Sequence, residues 1–216
     1  MRPRRLLHTL TAAALTIAAA LLGPGTAQAQ PAPLGTVPLE GGVALHGSNG
    51  ARCTAGFNVR TPGTGYVLLQ SCSVQTGDTM YGPGNVPVGT VTGPALLRVE
   101  NTAHWEQVGR VHTYPGSQSI TGATEAPVGA QVCMSGAVSG LRCGRIEAKN
   151  QVIYYPGGPV YGVTRTNICA QPGDGGAPVF SGTQAQGLVL GGSGCTTYFV
   201  PIREYLSAYG LDLFTE

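Results

Sequence analysis

After residue 39 the chain alternates apolar and polar residues over short runs, and clusters of Gly, Pro and Thr separate the runs. Gly56-Phe57-Asn58-Val59-Arg60 and Tyr66-Val67-Leu68-Leu69 flank Thr61-Pro62-Gly63-Thr64-Gly65, which is the layout of a hairpin. Ala95-Leu96-Leu97-Arg98-Val99, Gln151-Val152-Ile153-Tyr154-Tyr155 and Val160-Tyr161-Gly162-Val163-Thr164 continue the rhythm, and Pro156-Gly157-Gly158-Pro159 reverses the chain between the last two. One segment changes to a helical period. Pro201 opens it, Ile202, Tyr205, Leu206 and Tyr209 share a face, and Gly210 is placed as its stop. No internal repeat is visible, and both halves read as β, which leaves a two-barrel or a sandwich architecture open.

The first residues follow a different pattern. Arg2, Arg4 and Arg5 precede an apolar stretch from Leu10 to Leu22, and Ala27-Gln28-Ala29 supplies the small residues that a signal peptidase reads. This predicts an export signal over residues 1–29, a short irregular leader over 30–38 and one domain over 39–216. The protein is therefore expected to be secreted. A membrane anchor is disfavoured, because a span needs ~20 apolar residues and Gly23-Pro24-Gly25 ends this run early.

Composition agrees with a strand-and-turn protein: 34 Gly and 16 Pro accompany only 10% charged residues, too few for a helical bundle or a disordered tail. The formal charge of +2 belongs to the signal, since removing its three arginines leaves nine basic residues against ten acids. Lys149 is the one lysine and the arginines are scattered singly, so nothing resembles a nucleic-acid-binding stripe.

Cys53, Cys72, Cys133, Cys143, Cys169 and Cys195 all follow the signal. An even count in an exported chain reads as a disulfide framework, with fifteen pairings open. Zinc is not expected, because there is no C-x-x-C pair and His46, His104 and His112 stand apart from the cysteines. No metal or other cofactor is expected.

The most informative stretch is Asn167-Ile168-Cys169-Ala170-Gln171-Pro172-Gly173-Asp174-Gly175-Gly176-Ala177-Pro178. Together with Gly41-Gly42, Arg52-Cys53, Gly56-Phe57-Asn58-Val59, Ser181-Gly182-Thr183, Gly191-Gly192-Ser193-Gly194 and Ser207-Ala208-Tyr209-Gly210, it resembles the chymotrypsin-fold serine proteases. The likeness is to the actinobacterial streptogrisins in particular, whose nucleophile loop reads C-A-E-P-G-D-S-G-G-P, and it covers nearly everything after residue 39. The resemblance implies an all-β fold of two six-stranded antiparallel barrels of the trypsin-like type, a short C-terminal helix and a cleft between the barrels. It also implies the pairings Cys53 with Cys72, Cys133 with Cys143, and Cys169 with Cys195.

At the catalytic positions the resemblance breaks. It puts Gly175 where the family has its nucleophilic serine and Ser71 where T-A-G-H-C has its histidine. Aligned on Arg98, it puts Gly93 where N-D-Y-G-I-V-R-Y has its aspartate. Leu190 replaces the serine that heads the family's S-G-G strand, and Met134 replaces the arginine of C-R-S-G that pairs with the aspartate equivalent to Asp174. A buried carboxylate without a partner is costly, so Asp174 is expected to find other donors or to raise its pKa. The resemblance leaves the backbone N–H groups of Gly173 and Gly175 as an oxyanion hole and Leu190-Gly191-Gly192-Ser193 as the peptide-binding strand.

Loss of a whole triad removes about 10⁶ in turnover in a related enzyme class. The sequence therefore predicts a catalytically inactive homologue, no enzyme, that works as a monomer by binding a peptide, a protease or a protease inhibitor. Two other readings stand beside it. One is a hydrolase of the same fold that uses Ser71 or one of the three histidines; the other is a cell-surface interaction protein that uses an exterior patch. Streptogrisins are made with a large prosegment, whereas only residues 30–38 separate the signal from the domain here, so folding is expected to proceed without one or with another chain's help.

Overall fold

The computed structural model describes residues 35–155 and 157–216, and the expected export signal with residues 30–34 of the leader lies outside them. Short alternating runs become strands here because each has one face covered by a core. The first half carries β1 (Val37–Gly41), β2 (Ala44–Gly47), β3 (Arg52–Thr54), β4 (Asn58–Thr61) and β5 (Thr64–Leu68). It continues with β6 (Thr79–Gly82), β7 (Val86–Gly93), β8 (Leu96–Val99), β9 (Trp105–His112) and β10 (Ser117–Ser119). The second half carries β11 (Gln131–Gly136), β12 (Gly140–Tyr155), β13 (Gly158–Thr166), β14 (Pro178–Ser181), β15 (Gln184–Ser193) and β16 (Thr196–Pro201). Helix α1 (Ile202–Tyr209) and β17 (Asp212–Leu213) end the chain.

The second half closes into a six-stranded barrel in the order β11-β12-β13-β16-β15-β14. The first half differs in detail from the expected closed six. Eight strands form one sheet in the order β17-β4-β5-β8-β7-β6-β2-β3, and β1-β9-β10 form a second sheet. Both sheets enclose one core, in which Leu39 of β1 and Trp105 of β9 pack with Leu45, Val67, Met80, Val91 and Leu97. β1 begins at Val37, inside the stretch expected as leader, because burial of Leu39 draws its preceding residues into register with Trp105 and Glu106.

A separate core fills the closed barrel, with Val132, Met134, Ile146, Val179 and Phe199. A third cluster joins the halves, where Phe57, Val59 and Leu68 meet Phe180, Leu188, Ile202 and Tyr205. The C-terminus adds to that joint, since β17 pairs with β4 through Asp212 with Arg60 and Leu213 with Val59. Among the described residues no helix is long and apolar enough to cross a membrane.

All six cysteines are paired, in the combination that the resemblance implies: Cys53–Cys72, Cys133–Cys143 and Cys169–Cys195. Each bridge contributes ~3 kcal/mol, chiefly by restricting the unfolded chain. The first holds the segment that carries Ser71 against β3. The third joins the start of the Cys169–Pro178 loop to the turn between β15 and β16.

Helix α1 forms where the period predicts it, with Ile202 and Tyr205 buried, and Gly210 closes it in the left-handed conformation that favours glycine. The Tyr205 hydroxyl donates to Gln70 Oε1 at 2.5 Å, which ties the helix to the residue before Ser71. Burial foremost, and the neighbouring Tyr209, push the Tyr205 phenol above its ordinary range. A raised folded-state pKa favours the neutral form, so this contribution to stability is complete below about pH 10 and declines as the pH rises beyond it. Urea denaturation is expected to show Tyr205→Phe less stable by about 1 kcal/mol at pH 8, with a smaller further loss between pH 8 and 10.5 than the wild type.

Candidate functional site

The loop from Cys169 to Pro178 runs from β13 to β14 at the joint between the halves. Thr54 of β3 holds it from the first half: its N–H donates to Gly175 O at 3.1 Å and its hydroxyl to Gly173 O at 3.3 Å. The same hydroxyl accepts from Ala137 N–H at 3.1 Å. From the second half, Gly176 N–H donates to Val189 O and Val189 N–H to Ala177 O, both at 2.9 Å. Gly173 has φ 102°, a conformation that side chains rarely adopt, so glycine is needed at that corner.

Asp174 is completely buried and anchors the loop from within. Its carboxylate accepts from Gln171 N–H at 2.8 Å, from Val138 and Ser139 N–H at 3.1 Å each, and from the Ser139 hydroxyl at 2.6 Å. The expected need for other donors is met by the turn between β11 and β12. Met134 is fully buried among apolar neighbours in the barrel core. Gly136 allows the close approach, because a Cβ there would fall on the Asp174 carboxylate. Burial first, and then the Asp174 charge, push the Tyr114 phenol above its ordinary range.

Beside this loop lies a cleft of about 480 Å³. Ser71, Gly173, Gly175 and Leu190 through Gly194 line it, with Arg52, Gln171, Pro172 and Val189. The structure thus brings together Ser71, Gly173, Gly175 and the Leu190–Ser193 strand, and it leaves Gly93 out. Gly93 ends β7, does not line the cleft, and a Cβ built on it would meet nothing within 4 Å.

Ser71 has φ 53° and donates its hydroxyl proton to Leu190 O at 2.6 Å. A Cβ on Gly175 would come within 2.9 Å of the Ser71 Cβ, so the Ser71 side chain stands directly against residue 175. The N–H groups of Gly173 and Gly175 have no acceptor among the described residues. Among the described residues no histidine lines the cleft. His46 and His112 line a separate cavity of about 760 Å³, where His112 contacts Glu40, and His104 packs edge-on against Trp105.

Three contributors were not read as site residues from the sequence. Arg52 entered only as half of a family motif, Tyr155 only as a strand residue, and Thr54 not at all. Tyr155 Oη lies 2.6 Å from where a Cβ on Gly191 would sit, so it stands beside the Leu190–Ser193 strand, in a neighbouring cavity with Thr196 and Tyr198. Burial first, and then Tyr198, push its phenol above the ordinary range. The scarcity of charge was the one available signal for Arg52, since any lone cation in such a chain needs explaining.

Two β halves are thus joined over a glycine loop beside a cleft lined by Gly173 and Gly175, whose amides have no acceptor among the described residues. The chain belongs to the chymotrypsin-fold serine protease family, on the streptogrisin side of it. It is 40% identical to Streptogrisin-C of Streptomyces griseus over 196 residues, 85% of this chain and 42% of that protein. It is 39% identical to Serine protease 2 of Streptomyces fradiae over 172 residues, 74% of this chain and 98% of that one. The crystal structure of Thermobifida fusca Protease A superposes with a TM-score of 0.75 at 35% identity, covering 83% of this chain and all of that one. The chain thus spans less than half of Streptogrisin-C. No family model matches it.

These relatives correct the expectation that the chain is no enzyme. They are named as proteases at 35–40% identity over most of its length, and kinship of that grade lends no support to an inactive chain. The physical ground for the expectation was also too narrow. Binding and oxyanion donors alone retain about 10³–10⁴ over the uncatalysed rate when triad members are removed, so three positions do not decide whether a chain turns over.

The Asp174 anchor is directly testable. Ser139→Ala removes one donor and is expected to cost about 1–2 kcal/mol, while Asp174→Asn turns an amide NH₂ towards backbone N–H groups and is expected to cost about 3 kcal/mol or more. Urea denaturation checks both values, and equal stability of wild type and Asp174→Asn would show that the carboxylate does not hold the loop.

Proposed function

We propose that the chain acts outside the cell by taking an extended peptide into this cleft. Leu190 through Ser193 would pair with the peptide backbone, and the Gly173 and Gly175 amides would hold one of its carbonyl oxygens. The observation that carries the reading is an exposed strand segment beside two partnerless amide donors in one cavity. β15 has β16 on one side at Gly191–Ser193, so its other edge is free to add a strand. The three disulfides support an oxidising, extracellular setting.

Hydrolysis, the activity for which the relatives are named, needs a nucleophile, and glycine at 175 offers none. Ser71 supports a second reading, because it is the hydroxyl that lies against residue 175, in a strained backbone conformation of the kind that clusters at active sites. Its proton rests on a carbonyl, so its activation would require a base brought by the substrate or by solvent.

Equilibrium dialysis with a pool of acetylated hexapeptides tests the first reading. Wild type is expected to retain peptides, and Ser71→Trp, which fills the cleft at an exposed position, to retain at least tenfold less; equal retention by the two proteins would overturn it. A fluorophosphonate probe tests the second. Labelling of wild type that Ser71→Ala abolishes supports Ser71 as the nucleophile, and no labelling rules it out.

A further inference from the structure

Resting on the reading that the cleft takes a peptide, we propose that the peptide ends there: the ligand class is a peptide with a free C-terminal carboxylate, held by the Gly173 and Gly175 amides with Arg52 as counter-charge. Arg52 is the observation that separates such a ligand from a peptide that continues. Among the eight arginines and one lysine of the described residues, Arg98, Arg110, Arg165, Arg203 and Lys149 pair with carboxylates. Arg142 and Arg145 donate to backbone carbonyls, and Arg60 lies over the Phe214 ring. Arg52 alone has no such partner, and it is exposed at the cleft.

Among the described residues it is also the only charged side chain that lines the cleft. The nearest acid in the loop, Asp174, is buried and accepts from four donors, so its charge is largely answered inside the protein. The cleft lining therefore combines one uncompensated cation with two N–H groups that have no acceptor among the described residues. That is an anion-binding arrangement, of the kind in which backbone nests capture terminal carboxylates.

A continuing peptide presents a neutral carbonyl to the two amides and gives Arg52 nothing to pair with. A terminal carboxylate presents two oxygens and a charge, and hydrogen bonds to a charged acceptor are about twice as strong as neutral ones. The Ser71 hydroxyl is turned to Leu190 O and does not compete for the amides.

The experiment uses tetrapeptides Ac-Ala-Ala-Xaa-Xaa, randomised at the last two positions and made as free acids, as C-terminal amides, and as amides extended by two further alanines. Each pool is equilibrated with the purified protein at pH 7.5, and retained peptides are read by mass spectrometry, which also reports any cleavage. The free tetrapeptide acids are expected to be retained about tenfold more than the amides. Arg52→Gln is expected to lower retention of the acids about fivefold and leave the amides unchanged, with Arg52→Lys recovering part of the loss.

Equal retention of acids and amides, or no effect of Arg52→Gln on the acids, overturns the carboxylate proposal while peptide binding in the cleft stands. Retention of the extended amides alone overturns it in the same way, since those peptides have no terminal carboxylate to offer the Gly173 and Gly175 amides. Retention of no pool overturns both readings together.

Discussion

The cleft depends on one buried charge. Asp174 is enclosed by the barrel and satisfied by three backbone amides and one hydroxyl, most of them from the turn between β11 and β12, 35 or 36 residues earlier in the chain. Those bonds draw the loop inward at residue 174, so its neighbours turn outward at the cleft. Without them the carboxylate would carry the full desolvation cost of an unpaired ion, and the loop would have to open. Neutral donors serve well here because four of them spread the charge, and no second ion has to be desolvated.

The halves are coupled at the same place. Thr54, in the first half, takes up both the Gly173 and Gly175 carbonyls and at the same time receives Ala137 from the second. Ser71 adds a second crossing through Leu190 O, and Tyr205 reaches back from α1 to Gln70. A cleft between two bodies thus has its floor and walls fixed by hydrogen bonds that span them. Among the described residues the Gly173 and Gly175 amides and the Arg52 guanidinium are left without partners in its lining, which makes the cleft polar and positive although the chain is poor in charge.

Much of the architecture was legible in the residues. The Gly56–Leu69 hairpin, the reversal before Val160 and the helix from Ile202 are each marked by a local period and a turn residue, and local signals of that kind survive folding. The first half was less legible. Its strands are three to eight residues long, too short to show that seven of them join the C-terminal β17 in one sheet, and the parallel pairing of β1 with β9 joins residues far apart in sequence. In the site, Ser71, Gly173, Gly175 and the Leu190–Ser193 strand line one cleft, and Gly93 is not in its lining. The step from altered motifs to an inactive protein was the weak one, since side-chain identity at three positions says nothing of the backbone donors that remain.

The sequence by itself determined the fold class and the absence of a hydroxyl at residue 175, and its family resemblance implied the cysteine pairs. Only the tertiary structure decided what satisfies Asp174, what Ser71 touches, and that Arg52 faces the cleft without a partner. The reason is that the deciding groups are mostly backbone N–H and C=O. Nearly every residue carries them, so no residue type announces which ones are spent in strands and which are left open, and the path of the folded chain alone assigns them.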